Sequence, residues 1–154
     1  MIVSRIYLCP EHVYVGHYGD VAGVAPMVEV ERARLVAGRG IVGDRYFDRP
    51  VDHKGQVTFF AEETWSRLCE ETGTTTRCPD VFRRNLLTRE VDLLSLVNIE
   101  FEIQGIRFRG VEHCAPCTWM DQAFTPGTLA HLAAWTAGGL RAAILSDGWL
   151  QTGA

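Results

Sequence analysis

Residues 98–113 read NIEFEIQGIRFRGVEH, and this stretch decides the fold class. Apolar and polar residues alternate on both sides of Gln104-Gly105, so each arm has one face for a core and one for water. A two-residue break ending in glycine between alternating runs is the signature of a β-hairpin. The same period recurs outward from it. IVSRIYL (2–8) alternates, as does MVEVERARLV (27–36), where Val28, Val30, Ala33 and Leu35 are expected to face inward with a bulge between them. QVTFF (56–60) and NLLT (85–88) read as further strands, and VDLLSL (91–96) as a short apolar turn. VYVGHYGDVAG (13–23) reads as a glycine-broken strand entering a turn, and LRAAILSDGWLQTG (140–153) as a second hairpin around Asp147-Gly148.

Two stretches change period. In AEETWSRLCEET (61–72), Ala61, Trp65 and Leu68 share a face and Glu62 and Glu63 form an acidic first turn, which predicts a helix. Thr125-Pro126 predicts the start of another, running through GTLAHLAAWT and stopped by Gly138-Gly139. About seven short strands, two helices and few β-α-β alternations describe a mainly β protein. The expected form is a closed or nearly closed β-barrel with about two peripheral helices and a site built from loops at one rim.

At 154 residues, a single domain over 1–154 is expected. The net charge of −4 argues against a general nucleic-acid binder. No apolar run is long enough for a membrane span, and the first residues are too polar for a secretory leader, so no membrane and a cytoplasmic location are expected. Lys54 is the one lysine beside fourteen arginines, so Schiff-base chemistry with pyridoxal phosphate is not expected. Five cysteines without an export signal read as reduced thiols, with Cys9 and Cys69 buried among apolar neighbours.

Three constellations carry chemistry. GRGIVGDRYFDR (38–49) is a glycine-rich turn in which Gly43, Asp44 and Arg45 suit a phosphate, or in which Asp44 caps the turn and pairs with Arg45. In FRRNLLT (82–88), Arg83, Arg84 and Asn85 mark either an anion site or a solvated strand edge. The third is HCAPC (113–117), where Pro116 stiffens the loop that presents Cys117. The thiolate is the reactive and ligating form, favoured if the arginines gather at this rim. A zinc clip, a redox dithiol and two inert buried thiols stand as alternatives, the first wanting ligands beyond Cys114 and Cys117. Asp121 is either a proton donor or acceptor near the thiol or the cap of a turn. His12, His17, His53 and His131 read singly as surface or core residues, with His53-Lys54 able to extend the cationic rim.

In order and spacing these stretches resemble the MOSC family, named for the C-terminal domain of molybdenum cofactor sulfurase. The resemblance rests on Gly40-Ile41-Val42-Gly43-Asp44-Arg45, on Arg83-Arg84-Asn85-Leu86 and on Pro116-Cys117, and runs from about residue 27 to the end. It implies a β-barrel of the PK β-barrel-like type and a molybdenum cofactor (molybdopterin) whose metal, or whose sulfur, is carried by Cys117. It also implies that Arg45 and Arg83 hold the cofactor's phosphate, with Gly43, Asp44, Arg84, Asn85 and His113 supporting. Cys114 stands where several small relatives have arginine, which suggests a transient disulfide or persulfide relay with Cys117. The implied activity is reduction of N-hydroxylated small molecules with electrons from a redox partner protein. A sulfur-carrier module serving a cofactor-dependent enzyme and a zinc-stabilised structural domain are the alternatives.

Overall fold

The computed structural model describes residues 1–13, 20–21, 23–50 and 54–153. Ten strands and three α-helices are described: β1 (Ile2–Leu8), β2 (Val28–Val30), β3 (Arg32–Val36), β4 (Gly40–Ile41), β5 (Val57–Ala61), α1 (Glu62–Thr72), β6 (Leu86–Arg89), β7 (Glu100–Ile103), β8 (Ile106–His113), α2 (Trp119–Ala123), α3 (Thr128–Ala134), β9 (Leu140–Ile144) and β10 (Gly148–Gln151). Seven strands form one sheet in the order β2-β1-β6-β5-β9-β8-β7, and β10-β3-β4 form a second. Every pairing is antiparallel except β5 with β6.

The period of two sorts the central strands between two cores. Ile6, Phe59 and Leu86 point into the space between the sheets, with Leu35, Ile41, Phe108 and Leu150. Their sequence neighbours Tyr7, Phe60 and Leu87 point the other way, where Leu68 of α1, Met120 of α2, Phe124 just after it and Leu132 of α3 cover them. Strands buried on both faces read as unbroken apolar runs, which is why TFF and LL do not alternate. Each fully buried large side chain contributes about 1.5–3 kcal/mol.

The large sheet curls strongly into a half-barrel and is not closed. Among the described residues no ladder joins β2 to β7, so the closed or nearly closed barrel expected takes the form of a curled open sheet that shares its core with a second, three-stranded sheet. Side-chain and turn contacts stitch the two. The Gln104 amide donates to the Gln151 carbonyl (2.8 Å) and accepts from the Gln151 N–H (2.9 Å). The Gly38 N–H reaches the Ile144 carbonyl at 2.9 Å.

The β7–β8 hairpin forms as read, with φ of 51° at Gln104 and 79° at Gly105, the pair of positive values a type I′ turn needs. The second hairpin does not form. β9 pairs with β5 and β8, whereas β10 pairs with β3. Asp147 accepts from the Ala37 N–H (2.8 Å), and Gly148 lies where a Cβ would meet Ile106 Cγ1 at 2.6 Å. Residues 27–36 are likewise split between sheets at Glu31, and Val28 is 55% exposed rather than inward. Helix α3 begins at Thr128, after Gly127, and the short α2 was not foreseen. The strand expected at 13–23 falls largely outside the described residues. Among the described residues no helix is long and apolar enough to cross a membrane.

Candidate functional site

Strand β8 ends at His113, and His113 and the next residue, Cys114, line different cavities. Cys114 is 1% exposed, and its N–H donates to the Gly139 carbonyl at 2.8 Å. Behind it runs Gly138, so close that a Cβ there would stand 1.9 Å from the Cys114 carbonyl oxygen. Past Pro116, Cys117 is half-buried against the helical core, and its carbonyl accepts from the Met120 N–H as α2 begins.

Two adjoining cavities open at this loop. Cys117 lines the larger one, of ≈ 300 Å³, with His12, Arg45, Tyr46, Arg83, Arg84, Trp119 and Arg141. Cys114 lines the smaller one, of ≈ 140 Å³, with Thr58 and the same four arginines and Tyr46. Four guanidinium-bearing side chains thus converge on the thiol loop of a chain whose net charge is −4.

Each arginine is placed by its own local structure. The turn after β4, with φ of 88° at Gly43, brings the Arg45 N–H to the Cys9 carbonyl (2.8 Å). The Arg45 guanidinium then stacks 4.7 Å over Tyr46 and donates to the Arg83 carbonyl (3.1 Å). Arg83 sits at φ 56°, a left-handed position after the 3-10 turn Pro79–Phe82, and donates to the carbonyls of Ala25 (2.7 Å) and Glu11 (3.1 Å). Arg84 donates through Nε and Nη2 to the Gly138 carbonyl and through Nη1 to that of Phe82. Arg141, on β9, pairs with Glu112 at 3.1 Å.

Asp44 and Asn85 line neither cavity. Both are buried and form the hub beneath the wall. Asn85 Nδ2 donates to Asp44 Oδ2 (3.0 Å) and to the Tyr7 carbonyl (3.3 Å), while Oδ1 accepts from the Thr58 N–H and hydroxyl. Asp44 also accepts from the N–H groups of Cys9 and Tyr46 and pairs with Arg45 at 3.4 Å. Here the turn-cap reading of Asp44 describes its contacts. Asp121 likewise accepts from the Leu129 N–H (2.7 Å), fastening the first turn of α3, and lines neither cavity.

His113 is adjacent to Cys114 in sequence but lines a different cavity, of ≈ 400 Å³, with Arg67 and Trp135. Its Nε2 accepts from the Gly138 N–H at 3.0 Å. Burial, and then the charge of Arg84, push its pKa below the ordinary 6.5. The folded chain therefore resists a proton that the unfolded chain takes up, so this contribution to stability is complete above pH 6.5 and is lost as pH falls through the folded value. The fall in Tm from about pH 7 to about pH 5 should be smaller in His113→Gln than in wild type. An equal fall in both would show that His113 does not carry it.

His12, which lines the larger of the paired cavities, is also pushed down, by burial and then by Arg49 and Arg45. Neither it nor Arg141 was singled out as a site residue in the sequence, where His12 reads as a surface or core residue and 140–153 only as a hairpin. His17 and His53 lie outside the described residues, and Lys54 pairs with Glu112 at 3.0 Å. Among the described residues no three His, Cys, Asp or Glu side chains gather as a metal clip requires, so the zinc reading of Cys114 and Cys117 finds no third donor there.

The YuaD protein from Bacillus subtilis shares the fold with a TM-score of 0.72 at 14% identity, over 97% of this chain and 90% of that one. YiiM from Geobacillus stearothermophilus follows with a TM-score of 0.67 at 11% identity, over 97% and 70%. YiiM from Escherichia coli matches with 0.62 at 16% identity, over 96% and 65%. Comparison with curated proteins gives no match. At such identities the structural likeness is one of fold. The sequence pattern of the MOSC domain, however, matches residues 16–154. With that match running through the glycine-rich turn, the Arg83-Arg84-Asn85 stretch and the thiol loop, the chain belongs to the MOSC domain family.

Proposed function

We propose that this protein binds the molybdenum cofactor in the paired cavities, with Cys117 as the sulfur ligand and the arginine wall holding the phosphate-bearing end. The observation that carries the reading is the placement of Cys117 on one cavity wall with Arg45, Arg83, Arg84 and Arg141. The donor set fits the group. A thiolate is a soft ligand for a metal already held by sulfur, and guanidinium groups recognise phosphate through charge-assisted hydrogen bonds. When bound, the cofactor supplies a metal centre able to exchange oxygen and electrons with a small molecule. The chain's own part is to present one sulfur at a fixed angle, to hold the anionic end, and to shape the space in front. For turnover the family resemblance points to N-hydroxylated substrates, with electrons from a partner protein.

The test is elemental analysis of protein made in a host that synthesises the cofactor. Cys117→Ser should lower molybdenum per chain about tenfold or more while the fold persists. Molybdenum retained at the wild-type level would overturn the reading. A second reading, in which Cys117 carries sulfur for a cofactor-dependent enzyme, is favoured by Cys114 lining the adjoining cavity. A persulfide on the isolated protein, without reduction of a hydroxylamine-type substrate by artificial electron donors, would select the carrier over the enzyme.

A further inference from the structure

The four arginines of the wall are not equivalent. Arg84 engages Nε, Nη1 and Nη2 with the carbonyls of Gly138 and Phe82. Arg83 donates to the carbonyls of Ala25 and Glu11. Arg45 donates to the Arg83 carbonyl and pairs with the buried Asp44. These contacts brace the cavity against its own backbone, and breaking one would strand a carbonyl. Arg141 differs: the polar partner found for it among the described residues is the side-chain carboxylate of Glu112. That carboxylate is 39% exposed and is also held by Lys54, at 3.0 Å.

Resting on the cavity assignment above, we infer that Arg141 is the ligand-selecting residue of the site, which takes an oxyanion group, phosphoryl in type, by exchanging Glu112 for it. The exchange strands no charge. Glu112 keeps Lys54 when Arg141 turns to the ligand, and the ligand's anion replaces the carboxylate on a guanidinium able to bind either. Arg141 lines both cavities, so one residue meets an anion in either. Glu112 is a positioning residue: it parks Arg141 while the site is empty of ligand. The Lys54 hydrogen bond, followed by the charges of Lys54 and Arg141, holds the Glu112 carboxyl below its ordinary value, and like any exposed glutamate it is ionised, and so a competitor, at neutral pH.

The probe is inorganic phosphate, titrated calorimetrically into cofactor-free full-length protein at low ionic strength. Arg141→Gln should weaken binding about tenfold, Arg141→Lys should recover much of it, and Glu112→Gln should tighten it about threefold because the internal competitor is gone. Unchanged phosphate affinity in Arg141→Gln, no binding by the wild-type chain, or weaker binding in Glu112→Gln would each overturn the assignment. Two sources of the oxyanion are separated by the cofactor content of Arg141→Gln made in a cofactor-producing host. Loss of molybdopterin identifies the cofactor's own phosphate, and molybdopterin retained beside lost phosphate binding identifies a second, anionic small molecule. Failure of the Cys117→Ser test would remove the cofactor and leave the phosphate titration standing, so the two ideas fail separately.

Discussion

Asn85→Ala is expected to lower stability by about 3–5 kcal/mol, the range for breaking a buried hydrogen-bonded charge network. The side chain is 1% exposed, and its amide orientation is forced: Asp44 can only accept and the Thr58 N–H can only donate. Truncation would strip a buried carboxylate of a donor, leave the Thr58 amide without its acceptor, and open a void between β1, β5 and the turn that carries Arg45. Each stranded group costs about 1–3 kcal/mol, more for the charged one. For a chain of this length the loss corresponds to a fall in Tm of about 6–20 °C. Asn85→Asp should do no better, because it sets a second carboxylate against Asp44. A Tm within about 3 °C of wild type for Asn85→Ala, measured by calorimetry, would show that the hub carries no weight.

Gly138→Ala is the second large effect, and it acts on the site rather than on the hub. The φ of Gly138 is not in the left-handed region, so the substitution tests contact alone. The added methyl would stand 1.9 Å from the Cys114 carbonyl oxygen and 3.0 Å from the Pro116 nitrogen, both backbone atoms that cannot rotate away. The thiol loop must move or the Gly138 segment must, and the latter is tied to His113 Nε2 and to Arg84. Overpacking of this kind costs about 1–3 kcal/mol. The more specific readout is Cys114, buried in the wild type. Its alkylation rate in native protein, followed by peptide mass spectrometry, should rise at least about tenfold as local opening becomes easier. A Cys114 as protected as in wild type would mean the loop tolerates the methyl.

Legibility followed distance along the chain. The β7–β8 hairpin could be read because its signal is local: alternation on both sides of a dipeptide that tolerates two positive φ values. Asp147-Gly148 carries the same kind of signal, yet its glycine serves a close approach to Ile106, more than forty positions away in another sheet. Nothing local tells a turn glycine from a packing glycine. The open edge of the large sheet was equally invisible, since strand counts do not say whether the first and last strands meet. At the site, Cys114, Cys117, Arg45, Arg83 and Arg84 were read and are brought together on adjoining walls. Asp44 and Asn85 lie beneath those walls. His113 lines a separate cavity for a simple reason: consecutive residues of an extended chain face opposite ways. Arg141 and His12 were missed because their partners come from elements brought close only by folding.

The division of β9 and β10 between two sheets has a consequence during synthesis. Strand β3 ends at Val36, and its neighbour β10 begins only at Gly148. At about 5–20 residues per second, a ribosome needs about 6–20 s to supply the missing strand. Through that interval one row of β3 peptide groups has no native strand beside it, an open edge that nascent-chain chaperones, or other copies of the same chain, can reach.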